Sequence, residues 1–96
     1  MAAKTVFGSV LREIREELGL SQETLALHCG LDRSFISLLE RGRRQPSLTT
    51  IMYLAFSLDI APGSLISKVQ EKIPSDFYKN LFRAGAALSN RPNMSA

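Results

Sequence analysis

One cysteine, Cys29, and one histidine, His28, are all that this 96-residue chain holds of those two residue types. A single cysteine excludes an internal disulfide and any cysteine-based zinc site. Cys29 and His28 are neighbours, so on a helix they face different ways and cannot form a catalytic pair; Cys29 reads as core filling. Long apolar runs are missing as well. No stretch approaches the roughly 18 unbroken apolar residues of a membrane span, and the N-terminal MAAKTVFGSV lacks the apolar core of a signal peptide. Gly-rich phosphate loops are absent, and β-branched residues nowhere alternate with polar ones as in a strand. The carboxylates Glu13, Glu16 and Glu17 read as a solvated helix face. These absences predict a soluble, cytoplasmic, all-α protein with no enzymatic activity, no cofactor, no metal and no membrane partner.

What is present is ordinary for a globular domain: 45% of residues are hydrophobic, enough for one core. The net charge of +3 leans weakly toward a polyanionic partner. Apolar residues at Val6, Phe7, Val10, Leu11, Ile14 and Leu18 follow helical spacing over Thr5 to Leu18, and Gly19 is placed to end that helix. Ser21 is a good N-cap for a second helix, Gln22 to Cys29, which Gly30 closes. Asp32 caps a third, Arg33 to Arg41, closed by Gly42. A fourth runs from Leu48 to Leu58, with Leu48, Ile51, Met52, Leu54, Ala55 and Leu58 as its apolar face. Pro62 suits the first turn of a fifth, reaching Val69 or Lys72. The run IPSDFYKNLFRAGAALS predicts a short sixth helix, and SNRPNMSA reads as a loose tail.

Two short helices joined by about three residues suggest a helix-turn-helix. The small Ala26 suits the crossing point, Gly30 tolerates the positive φ of the turn, and Leu25, Cys29, Leu31, Ile36 and Leu39 face inward. At about 100° per residue, Phe35, Ile36 and Leu39 fall on one side of the third helix. Arg33, Ser34, Ser37, Leu38 and Arg41 fall on the other. Such an outward face suits a major groove. Arg33 is able to donate two hydrogen bonds to guanine, Ser34 and Ser37 can serve bases or phosphates, and Leu38 could touch a thymine methyl. Phe35 reads as a core or edge-packing aromatic, with the sugar–phosphate wall as its other option. Arg41, Arg43 and Arg44 are positioned to contact phosphates.

The segments LREIREELGLSQETLALHCGLDRSFISLLERGRRQPSL and IAPGSLI resemble the phage repressor and Cro-like (XRE) family, from the first helix through the fifth. LDRSFIS followed by an acidic residue and RGRR is also similar to the controller proteins of restriction–modification systems. The resemblance implies a compact five-helix, lambda-repressor-like domain. It implies base contacts at Arg33, Ser34 and Leu38, a phosphate contact at Gln22, and a structural ion pair between Arg15 and Glu40.

The domain organisation expected is a DNA-binding unit over 1–73, a helical extension over 74–88 and a flexible tail over 89–96. One helix-turn-helix reads few base pairs, so a homodimer on a partly palindromic double-stranded site is expected. Leu65, Ile66, Val69, Ile73, Phe77 and Leu81 are the candidate interface residues. The function expected is a sequence-specific transcriptional regulator, a repressor or a dual regulator. The alternative is an antitoxin-type protein that neutralises a protein partner and controls its own operon.

Overall fold

The computed structural model describes residues 3–78. Five helices follow in order: α1 (Ala3–Glu17), α2 (Gln22–Cys29), α3 (Arg33–Glu40), α4 (Leu48–Ser57) and α5 (Pro62–Lys72). Residues 75–78 open a further helical turn. There is no strand among the described residues. The remainder of the expected sixth helix, with Leu81, and the tail over 89–96 lie outside them.

The core draws on every helix. Leu11 of α1, Leu25 of α2, Ile36 and Leu39 of α3, Leu54 of α4 and Leu65 of α5 are fully buried. Leu20, Cys29, Leu31, Phe35, Ile51, Ile60 and Ile73 pack around them, partly buried. Consequently α3 is seated on both α1 and α2, while α4 packs on α2 and α5, and α5 returns to α1. At the α1–α5 seam Lys72 donates to Glu13, 59 residues away in sequence.

Helix ends are closed in a repeated way. The N–H of Leu31 bonds the Ala26 carbonyl at 2.9 Å, and that of Arg43 bonds Leu38 at 2.9 Å, with Gly30 and Gly42 left-handed between them. This closure satisfies carbonyls that a helix end leaves bare. Asp59 takes the same role after α4 at φ 54°, with Ile60 N–H bonding Ala55. Ser21 and Ser47 cap α2 and α4, accepting from Thr24 and Thr50 N–H at 2.9 and 3.1 Å. Asp32 occupies the N-cap of α3, but its side chain makes no capping hydrogen bond, contrary to expectation.

Two packing expectations are corrected. Periodicity places Leu48 and Met52 on the apolar face of α4 that packs, yet they are 75% and 48% exposed. Among the described residues α4 packs chiefly on α2 and α5, and its outer stripe is exposed there. Leu18 is likewise exposed, because it sits in the turn after α1.

Candidate nucleic-acid interface

α3 is an eight-residue amphipathic helix whose Ile36 and Leu39 are buried and whose Phe35 packs at the core margin. Arg33 and Ser34 are exposed on its first turn, as is Arg41 at its end. Ser37 and Leu38 are half-buried, and Leu38 is not among the residues packed on the core. An apolar side chain so placed is left at the rim of the outward face. Arg43 and Arg44 are exposed in the loop that follows. Ion pairs among the described residues use Arg12, Arg15 and Lys72 as cations, leaving Arg33, Arg41, Arg43 and Arg44 without carboxylate partners there.

Behind this face α3 is fixed by a polar clamp. Arg15 of α1 pairs with Glu40 through two parallel hydrogen bonds, Nε to Oε2 at 2.6 Å and Nη2 to Oε1 at 3.0 Å. Its remaining nitrogen, Nη1, donates to the Leu20 carbonyl at 2.7 Å. The two side chains are only 11% and 2% exposed. Hydrogen bonding to Glu40 raises the Arg15 pKa above its ordinary value, outweighing the opposing effect of burial. A bidentate pair of this kind fixes orientation as well as charge.

Gln22 joins the clamp: its side-chain Nε2 donates to Glu40 Oε1 at 3.0 Å. The residue expected to meet phosphate therefore also ties the first turn of α2 to the end of α3. Sequence reasoning missed this link. Gly8 was missed too. A Cβ at Gly8 would stand 2.2 Å from the Leu39 carbonyl oxygen, so α1 crosses the backbone of α3 without room for a side chain. An isolated glycine in a helical pattern was the available signal. Gly42 also lies close to α1, where an added Cβ would come within 2.9 Å of Thr5 Cα.

Two short helices at a glycine turn, the second flanked by the exposed Arg33 and Arg41, form a helix-turn-helix. The model of the HTH_3 helix-turn-helix family matches residues 11–62. The chain belongs to this family. Over 64 residues this HTH_3 protein is 39% identical to the control protein C.BamHI of Bacillus amyloliquefaciens, covering 66% of this chain and 79% of that one. The HTH-type transcriptional regulator y4dJ of Sinorhizobium fredii is 34% identical over 71 residues, 74% of this chain and 92% of its own. Among solved structures, the restriction-modification controller protein C.AhdI of Aeromonas hydrophila is similar at 52% identity. That alignment covers 68% of this chain and 98% of the other, with a TM-score of 0.65.

The remaining candidates of the HTH_3 protein sort by burial. Leu65 and Val69, expected at a dimer interface, are 0% and 7% exposed within the core of the single chain, which removes them as surface candidates. Ile73 and Phe77 are half-buried and Ile66 is 45% exposed. No three His, Cys, Asp or Glu side chains converge as metal ligands among the described residues, and no single helix there is long and apolar enough to cross a membrane.

Proposed function

We infer that this HTH_3 protein is a sequence-specific, DNA-binding transcriptional regulator that acts as a homodimer on a partly palindromic operator. The observation that carries the reading is the division of α3 into two faces. Ile36, Leu39 and the Arg15–Glu40 pair hold the helix from behind, and Arg33, Ser34, Ser37 and Leu38 are left to read base edges. Arg33 reads guanine through O6 and N7, and Leu38 lies beside a thymine methyl. Arg41, Arg43, Arg44 and the first turn of α2 at Gln22 neutralise phosphates, which supplies affinity without sequence choice. Two such units bind half-sites about one helical turn apart. Repression by occupying a promoter is the main activity, with activation available from suitably placed sites.

The relatives' descriptions as regulators and control proteins favour this reading over an antitoxin. Selection of bound sites from random DNA tests it: the expected outcome is an inverted repeat with a guanine in each half-site. Arg33→Ala should then lose roughly 1–3 kcal/mol on the selected site and flatten preference at that one position. Equal loss on every sequence would show that Arg33 does not read a base.

A further inference from the structure

Between the start of α1, the loop after α3 and the flank of α5 lies a recess of ≈ 150 Å³. Phe7, Pro46, Ile51, Ile66 and Val69 give it an apolar lining. Phe7 and Val69 are 4% and 7% exposed, so the core fixes its floor, while Ile66 at 45% forms an open side. A cavity of about this volume with aliphatic and aromatic walls holds a single benzene ring. Among the described residues one charged group borders it, the ammonium of Lys4. No carboxylate shares the lining, and Lys4 is outside every ion pair among those residues. Apolar walls with a few convergent polar groups are how small-molecule sites orient a ligand.

Charge and shape together name the occupant. We propose that the recess is an effector site for a small apolar carboxylate, either an aryl acid or a short-chain acyl acid. Its hydrocarbon part sits on Phe7, Ile51 and Val69, and its carboxylate meets Lys4. A neutral hydrocarbon would leave that cation unused, and a cationic ligand would be repelled by it. Pro46, one wall of the recess, follows Arg44 by two residues. The turn at Gly42 in turn rests on Thr5, the chain neighbour of Lys4. A bound carboxylate therefore brings negative charge to the base of the arginine loop. It lowers the positive potential that Arg43 and Arg44 present to phosphate, so ligand and DNA weaken each other's binding by the same factor. This regulatory consequence rests on the reading of the chain as a DNA binder; the ligand site does not.

Methyl-detected NMR of the full chain tests the site, with benzoate and hexanoate as probes and benzyl alcohol as the uncharged counterpart. Both carboxylates should shift the Ile51, Ile66 and Val69 methyls, saturating at about millimolar concentration. Benzyl alcohol should bind about threefold more weakly, and Lys4→Gln should erase that difference. Ala3 lines the recess from the exposed end of α1. Ala3→Phe should fill it and abolish the shifts, with helical circular dichroism intact. On a selected DNA site, saturating benzoate should weaken affinity roughly fivefold beyond sodium chloride at equal ionic strength, and Lys4→Gln should escape this loss. Equal binding of benzoate and benzyl alcohol, shifts that survive Ala3→Phe, or an unchanged DNA affinity would overturn the proposal. So would contacts in the free protein from residues 79–96, or from a second copy, to these methyls, because the recess would already be filled. A chain that binds no DNA even without ligand faults the DNA-binding reading alone, and the methyl shifts still decide the site.

Discussion

Gly8 passes directly over the backbone of Leu39: any Cβ on Gly8 would lie 2.2 Å from the Leu39 carbonyl oxygen and 2.7 Å from that of Glu40. Both obstacles are main-chain atoms, so no rotamer change relieves the clash. Gly8→Ala should therefore push α1 off α3. Overpacking costs about 1–3 kcal/mol, whereas alanine gains only about 1 kcal/mol by helix propensity. With the clash at the upper end of that range, urea unfolding should show a net loss of about 2 kcal/mol. A gain would mean that the helices separate freely here.

The Arg15–Glu40 pair makes a sharper prediction. Its side chains are nearly excluded from water, so removing one partner strands the other's charge. Glu40→Leu or Arg15→Met alone should cost about 3–5 kcal/mol, while the double replacement Arg15→Met with Glu40→Leu should recover much of that. Thermal melts of the two single variants and the double variant would form the test. Additive losses would mean that the pair is not coupled.

Arg43 and Arg44 are exposed and lack carboxylate partners among the described residues. If both meet phosphate, replacing them with glutamine should weaken all DNA sequences alike. With four such contacts in a bound dimer, the slope of log affinity against log salt should fall by about 3.6 in magnitude. A salt titration with an unchanged slope would remove both residues from the contact.

Acid should loosen the α1–α5 seam. The hydrogen bond and charge of Lys72, with a smaller contribution from Lys68, hold the Glu13 pKa below its ordinary value. A depressed carboxyl stabilises the fold above its unfolded pKa, and that contribution disappears as pH falls through the lowered folded value. The melting-temperature advantage over Glu13→Gln should thus be present at neutral pH and vanish in strong acid. Because Glu13 is exposed, the difference is small.

Much of this architecture was legible in the sequence because its signals are local. Ser21, Gly30 and Gly42 mark helix boundaries through their own backbone and hydroxyl chemistry, and the spacing of Ile36 and Leu39 separates the buried side of α3. The Arg15–Glu40 pair was legible only through family resemblance, since nothing local joins residues 25 positions apart. What stayed hidden depends on which surfaces meet. Periodicity gave α4 one apolar face that included Leu48 and Met52, but it could not tell which residues would find a neighbour in the folded chain. Leu65 and Val69 mislead for the converse reason: their spacing does not reveal that α5 returns to α1. Gln22 gave no sign in the sequence that Glu40 would lie within reach.

The turn at Gly42 joins the end of α3 to the loop of Arg43 and Arg44, and it rests against Thr5 so closely that a side chain at Gly42 would collide with it. The first turn of α1, which bears none of the proposed DNA contacts, therefore acts as the anvil under the arginine loop. Enlarging Thr5 or Gly42 would shift the loop's charges relative to the reading edge of α3. Such a variant would change how tightly every site is held while leaving the choice among sites alone.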